Sequence, residues 1–516
     1  MNKYIKITAI VLTCSIVLVS CNKSSIQKEN IQDTDTNKTV ITTAIQKKET
    51  NLKKQISLKE EKKIEKLIET SKSKIIKEET ALAPVSYPKQ ILNRKSTKEQ
   101  FGYFDFDIIK KGFMDDNTLL IVGGIQGDEP GGFMAASLIA THYKILKGSV
   151  WVVPNLNFYS IIKRSRGPHG DMNRKFAGLS VNDPDYESVE RIKKHITSDN
   201  VKLIVNLHDG SGFYRPVYED KLHAPNRWGQ CTIIDQAKIE SKNYSDLESI
   251  SKQVVEHVNK FSLKKEHNYH PHNTRTSEGD KEMEKTLTYF AINQGKAAFG
   301  NEASKSLPTH QRVYYHLLAL EKFMKIMGIE YERKFNLNDQ VVKNILDNDI
   351  EISLYDDKIK LPLAQIRNYL NYFPVKEDGT IDFVPSNPLM SIVKTKDEYT
   401  IYYGNRRLSK LKPDFTKHID CEKSAKLKVD RNDIELDFGK TIKIKESFLV
   451  YPLKDYKINV VGYADKTKID TGVNITYPKM LKRFSIDKEG KRYRVEYYSK
   501  NKFAGMIIVE FDGSKS

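Results

Sequence analysis

The chain has 516 residues, 39% of them hydrophobic and 10% aromatic; at roughly 100 to 200 residues per domain it can fill two or three cores, which excludes a wholly disordered protein. Its 85 Lys plus Arg against 67 Asp plus Glu leave a formal charge of +18, which by itself would suit nucleic acid, acidic wall polymers, anionic lipid or merely solvated lysine-rich faces. Four cysteines, two of them within the first 21 residues, exclude a disulfide-stapled scaffold, and Cys231 and Cys421 read as ordinary small core residues.

The opening stretch, MNKYIKITAIVLTCSIVLVSC, places Lys3 and Lys6 ahead of an apolar run too short to span a bilayer comfortably. That is the layout of a secretory signal. Leu18-Val19-Ser20-Cys21 resembles a bacterial lipobox, which makes residues 1–21 a lipoprotein signal peptide and Cys21 the lipidation site. An uncleaved anchor is the alternative, and both place the body outside the cytoplasm. Nucleic acid is therefore not expected as a partner, while the membrane is, through the N-terminal lipid. Asn22 after the cysteine resembles an outer-membrane address in Gram-negative lipoproteins, so the expected location is the periplasm, anchored to the outer rather than the inner membrane.

Residues 22–85 mix Lys and Glu densely and lack a run of aromatics, so they cannot bury enough surface to fold alone. Ile64, Leu67, Ile68 and Ile75 recur at helical spacing, which predicts at most a fraying amphipathic helix in a charged linker.

From there the pattern becomes that of an α/β domain over 86–335. NTLLIVGGI predicts a buried strand, and Pro130 opens a helix along FMAASLIATHYKIL. GSVWVVPNLN is a second strand. Asp183-Pro184 predicts a helix start, with Tyr186, Val189, Ile192 and Ile196 as its buried stripe. VKLIVNLHDG and KAAFGNEAS complete the strands, which implies a parallel or mixed sheet flanked by helices. After about residue 336 helical patterns give way to short alternating segments, DGTIDFVP, YTIYYGNRRL, YKINVVGY, FSIDKEGKRYRVEYY and FAGMIIVEF. They predict one or two small antiparallel β domains, 336–430 and 431–516, the second sandwich-like and compatible with an immunoglobulin-like fold. Such modules suit contacts with cell-wall protein partners.

In open α/β sheets the site lies at the carboxyl ends of strands. Gln126 and Glu129 follow the first predicted strand, His208 lies at the end of the third and Glu302 at the end of the fourth. A catalytic zinc takes three protein ligands and leaves one position open. Two ligands three residues apart at a strand-to-helix turn, with a distant His from a neighbouring strand, meet that need.

The order Gln126-x-x-Glu129, Asn173-Arg174, His208, Glu302 resembles the zinc carboxypeptidases of the carboxypeptidase A type. In that family a His-x-x-Glu pair and a later His hold the metal, an Asn-Arg pair clamps the substrate carboxylate, and a late Glu is the general base. The departure is Gln126, which can ligate only through its amide oxygen, a harder and neutral donor expected to hold zinc less tightly than imidazole. With GGIQGDEPGG, RSRGPHGDMNRKF and NLHDGSGFYRP around it, the pattern resembles the peptidoglycan D,L-carboxypeptidases that set cell shape, whose zinc site uses Gln, Glu and His.

Carried across residue by residue, the resemblance implies Gln126, Glu129 and His208 as Zn²⁺ ligands and Glu302 as the base. It implies Arg166 as the group that polarises the scissile carbonyl, Asn173 and Arg174 as the carboxylate clamp, and Trp228 and Thr288 as substrate walls. The implied substrate is the peptidoglycan stem tripeptide, muramyl L-Ala, γ-D-Glu, meso-diaminopimelate, trimmed to a dipeptide. Two other functions fit parts of the pattern. A zinc deacylase of the aspartoacylase or desuccinylase kind shares the early ligand pair, the Asn-Arg clamp and the late Glu. A non-catalytic peptidoglycan-binding scaffold could retain a weakened pocket, although it has no use for Glu302. His267, His270 and His272 in EHNYHPHNTRT read as a polar surface or substrate loop rather than a second metal site, and His169 as a solvated loop residue near the pocket.

Overall fold

Thr118–Val122 (TLLIV) and Ser149–Val153 (SVWVV) have no polar alternation, so each must be covered on both faces. In the computed structural model they occupy the interior of a seven-stranded sheet in the order His270–Asn273, Cys231–Ile234, Ala297–Ser304, Val201–Gly210, Thr118–Val122, Ser149–Val153, Ile109–Gly112. The central strands run parallel, while Cys231–Ile234 pairs antiparallel with Ala297–Ser304 but parallel with His270–Asn273, and Ile109–Gly112 pairs antiparallel with Ser149–Val153, so the sheet is mixed, as expected. Helices Pro130–His142, Leu247–Lys260, Leu287–Asn293 and Thr309–Ile326 pack on it. The structure describes residues 87, 89–92, 100–101, 105–113, 116–396, 398–421, 424–465 and 469–512. The signal segment, Cys21 and the 22–85 linker lie outside the described residues. Among the described residues no helix is long and apolar enough to cross a membrane.

Three local expectations are corrected. The helix opened by Pro130 stops at His142, and Tyr143–Lys147 is a strand paired antiparallel with Glu330–Arg333. A partner nearly two hundred residues downstream supplies its backbone hydrogen bonds, and the Tyr143 hydroxyl donates to Glu321 at 2.7 Å. The helix expected from Asp183-Pro184 runs Tyr186–Ile196 with Asp185 at its N-cap, because the Asp183 carboxylate is taken by the Asp185 N–H at 2.8 Å and by the Lys175 ammonium at 2.8 Å. Beyond residue 336 one more helix appears, Asp339–Asn348, capped by Asn338, whose side chain accepts from Val341 N–H at 2.8 Å. Val342 and Leu346 are its buried stripe.

The β-rich remainder falls into two modules, the first sharing its core with the α/β domain and the second with a core of its own. Gln90–Leu92, Ile381–Pro385, Glu351–Leu354 and Ile359–Pro362 form one sheet, and Tyr369–Lys376, Arg406–Thr416, Glu398–Tyr403, Met390–Thr395 and Gln100–Phe101 another. Chain that precedes the catalytic sheet thus pairs with chain that follows it, Gln90 opposite Phe383. Two four-stranded sheets then enclose a separate core that includes Leu427, Phe448, Val450, Val495 and Val509. Both modules are mainly antiparallel, with one parallel pair each: Tyr369–Lys376 with Arg406–Thr416, and Thr441–Ile444 with Lys502–Phe511.

Candidate metal centre and substrate cleft

Strand register brings the first two polar groups together. On adjacent parallel strands Glu302 stands opposite His208. The Thr118–Val122 strand lies on the other side of Val201–Gly210 and runs out into the turn that carries Gln126 and Glu129. Glycine is needed along that turn and at the start of the helix after it. Gly124 has φ +73°, and a Cβ on Gly131 would lie 2.3 Å from Asp209 Oδ1, where the Gly131 N–H instead donates to Asp209 Oδ2 at 2.7 Å.

The result is a convergence of three buried side chains. His208 Nδ1 lies 3.1 Å from Gln126 Oε1 and 2.9 Å from Glu129 Oε2, and none of the three residues is more than 6% exposed. Among the described residues no group of three His, Cys, Asp or Glu side chains is arranged to hold a metal. The set that does converge includes the glutamine. Two oxygens and one imidazole nitrogen facing one point fit a three-ligand catalytic metal site of the N/O kind.

Asp171, absent from the sequence expectations, dictates how Gln126 is turned. Its Oδ1 accepts from Gln126 Nε2 at 2.7 Å and from Asn173 N–H at 3.0 Å, and its Oδ2 accepts from Arg166 Nε at 2.9 Å. Burial works to raise the Asp171 pKa, but the hydrogen bond from Gln126 and the Arg166 charge prevail and hold it below the ordinary carboxylate value. An ionised carboxylate only accepts, so the amide nitrogen must face Asp171 and the amide oxygen must face His208. The spacing Asp171-x-Asn173-Arg174 was the available signal. Asp171→Ala is expected to weaken metal binding by about 10- to 100-fold, read by competition with a coloured chelator.

Glu129 is held from three further directions: by the Asp209 N–H at 3.1 Å, by Arg166 Nη1 at 3.3 Å and by Lys305 Nζ at 3.3 Å. Lys305, also missed in the sequence, bridges to Asp128 at 2.8 Å. Glu302 is 8% exposed and its Oε2 is buried with no hydrogen-bond partner. Burial pushes its carboxyl up to about 8; the nearby His208 opposes this, and the Glu129 and Asp209 charges add to it.

These groups line a cleft of about 290 Å³ together with Arg166, Asn173, Arg174, Trp228 and Thr288. Every site residue expected in the body of the chain is therefore on one cavity. Asn173 Oδ1 accepts from Leu287 N–H at 3.1 Å, which fixes the amide, and Arg174 Nη1 is tied to the Asn173 carbonyl at 3.0 Å. Arg174 Nη2 donates to Met283 Sδ at 3.9 Å and its Nε is 3.9 Å from Glu282 Oε2, so the guanidinium lines the cleft without a tight carboxylate partner.

The histidine-rich segment is not the polar loop that was expected. His270–Asn273 is the edge strand of the large sheet, and His267 is buried with its Nδ1 2.9 Å from the Tyr315 hydroxyl. His272 stacks on Tyr214 at 3.9 Å between ring centroids and lies 5.0 Å from Trp228, so it backs the cleft wall. Burial pulls its pKa down to about 4. Between there and the ordinary value near 6.5 the unfolded chain binds the extra proton and the folded one does not, so stability falls as pH drops through that window. Melting curves should show a smaller acid-side loss for His272→Phe than for the wild type. His169 stacks on Tyr159 at 5.7 Å and does not line the cleft.

Comparison with known proteins bears on the family and the fold. Residues 108–347 match the family model described as carboxypeptidase controlling helical cell shape, catalytic, and residues 418–512 match the C-terminal domain of metallo-carboxypeptidase. No curated protein matches by sequence search. Among solved structures, the apo cell shape determinant Csd4 of Helicobacter pylori is 38% identical with a TM-score of 0.71, covering 79% of this chain and all of that one. The tripeptide-bound form of Csd4 matches at 38% identity and a TM-score of 0.70, over 79% of this chain and 100% of that one. The mDAP-bound form, described as a D,L-carboxypeptidase, is 38% identical with a TM-score of 0.70, over 78% of this chain and 100% of that one.

Proposed function

The chain belongs to the family of metallocarboxypeptidases that control helical cell shape, and on that premise we propose that it hydrolyses the last peptide bond of the peptidoglycan stem tripeptide. The substrate is muramyl L-Ala-γ-D-Glu-meso-diaminopimelate, and the products are free diaminopimelate and a dipeptide stem. The observation that carries this reading is Glu302, a buried carboxyl with an unpartnered oxygen, facing the junction of Gln126, Glu129 and His208 in a cleft edged by two guanidinium groups. The tripeptide-bound and mDAP-bound forms of the 38% identical relative support the substrate class.

Gln126, Glu129 and His208 would hold the metal, which is read as zinc. When bound, it supplies Lewis-acid chemistry at a peptide carbonyl and increases the acidity of water. The chain's own groups do the rest. Arg174 takes the carboxylate of the departing residue in a bidentate grip that Lys could not offer, and Asn173 adds a hydrogen bond. Trp228 and Thr288 wall the side chain. Glu302 removes a proton from the attacking water as its oxygen bonds to the carbonyl carbon, and Arg166 stabilises the charge that develops on the carbonyl oxygen. As the C–N bond breaks, Glu302 returns that proton to the leaving amine.

The address follows from the N-terminal pattern: a periplasmic enzyme tethered by lipid on Cys21, to the outer membrane rather than the inner, with the 22–85 segment as spacer. Stem peptides of three, four and five residues, each incubated with the zinc-loaded protein and resolved by mass spectrometry, test the reaction. Loss of one residue from the tripeptide alone is expected. Equal cleavage of the longer stems would contradict the assignment.

A further inference from the structure

A second cavity, of about 510 Å³, lies between the two β modules, within the range of about 300 to 1,000 Å³ usual for small-ligand sites. Strands Tyr369–Lys376 and Arg406–Thr416 contribute to it from one module, and Tyr456–Val460 and Arg492–Ser499 from the other. The period of two along the last strand directs Arg494, Glu496 and Tyr498 to this side.

Its floor has unfilled hydrogen-bonding capacity. Arg494 is 4% exposed and Glu496 2%. Arg494 donates through Nη2 to the Asn371 carbonyl at 3.0 Å and through Nη1 to the Tyr372 carbonyl at 3.3 Å, while its Nε has no acceptor. Glu496 Oε2 accepts from the Tyr498 hydroxyl at 3.0 Å and Asn459 Nδ2 at 3.4 Å. Its Oε1 lies 3.1 Å from Arg494 Nη1 and receives no hydrogen bond. Buried groups left in this way call for a partner from outside the chain.

Its lip is aromatic and built at a cost. The Tyr369–Lys376 strand bulges, its register shifting between Leu370 and Phe373, and Tyr372 in the bulge has φ +51°. A left-handed tyrosine is strained, and bulges re-aim side chains. Here the bulge is held by Arg494 on the Tyr372 carbonyl, and the tyrosine is left 71% exposed beside the cavity. Tyr463 and Phe484 add aromatic wall.

We propose that this cavity binds an uncharged N-acetylhexosamine unit of a glycan. Arg494 and Glu496 offset each other, as do Asp414 and Lys457, so the lining favours neither a cation nor an anion, whereas vicinal hydroxyls or an acetamido group present a donor and an acceptor side by side. The apolar C–H face of a pyranose packs on tyrosine and phenylalanine rings. That the glycan is the one bearing the trimmed stem peptides rests on the function proposed above; the chemistry of the cavity does not. The β modules then hold the strand while the catalytic cleft works on its stem.

The test is co-sedimentation of the whole protein with glycan strands stripped of their stem peptides, with soluble chitin oligomers as competitor, beside hydrolysis of the small muramyl tripeptide. Wild-type protein should bind the stripped strands and be displaced by the oligomers. Tyr372→Ala, which removes an exposed ring and relieves no packing, should bind about tenfold more weakly and hydrolyse the tripeptide at the wild-type rate. Glu496→Gln should weaken binding similarly. Wild-type protein that ignores stripped glycan, binding that chitin oligomers do not displace, or unchanged binding by Tyr372→Ala would each overturn the proposal. Glycan binding without tripeptide hydrolysis would instead remove the proposed reaction and leave this site standing.

Discussion

Glu302→Gln is expected to lower kcat/KM by about 100- to 10,000-fold, the range associated with loss of a positioned general base. The amide fills the same volume and cannot accept the proton of the attacking water. Its other effects should be small. Because burial holds the Glu302 carboxyl above its ordinary pKa, near neutral pH folding carries a penalty that a neutral amide does not, so the variant should melt at the same temperature or higher. The sign of the pH dependence follows from the same burial. The base acts only when ionised, and desolvation raises its pKa to about 8 before a metal is bound, with His208 pulling it back and the Glu129 charge raising it further. Activity therefore rises with pH along an acid limb assigned to Glu302. The charge of a bound cation moves the midpoint below that value, and the limb should be missing from the residual activity of Glu302→Gln.

The second large effect is expected from His208→Ala, which should abolish both metal binding and activity. Removal of the one imidazole leaves Gln126 Oε1 and Glu129 Oε2, and Glu129 then remains paired to Arg166 and Lys305. A carboxylate neutralised by two cations is a poor sole anchor for a divalent ion. The loss in affinity should exceed the roughly 10- to 100-fold expected for removing the outer partner Asp171. Metal content after dialysis separates the two variants from Glu302→Gln, which should retain its ion. If His208→Ala kept stoichiometric metal and activity, the ligand set would be wrong.

The site was more legible in the sequence than its surroundings. Gln126, Glu129, His208 and Glu302 stand at the ends of strands whose apolar runs are unmistakable, and Asn173-Arg174 lies in a loop that only long-range folding could bring to them. All six line one cleft. What escaped was set by partners distant in the chain. Tyr143–Lys147 follows a helix without a break in hydropathy and becomes a strand because Glu330–Arg333 is there to pair with it. His267 looks solvated in a polar segment and is buried because Tyr315, on a later helix, reaches its ring. Asp171 and Lys305 carry no pattern of their own; each matters through what it orients, Gln126 in one case and Glu129 in the other. The strand Gln90–Leu92 precedes the seven-stranded sheet and pairs with residues almost three hundred positions later, a crossing that local periodicity cannot show.

The proposed reaction has Glu302 and a metal held by Gln126, Glu129 and His208 cut diaminopimelate from the tripeptide stem. It is tested most directly by following free diaminopimelate by mass spectrometry as muramyl tripeptide is incubated with wild-type protein, with the same protein after chelation and after zinc is restored, and with Glu302→Gln. Release by the wild type, its loss on chelation, its return with zinc and its absence from the metal-bound Glu302→Gln protein is the predicted result. Release that survives chelation, or that Glu302→Gln sustains at the wild-type rate, would contradict it.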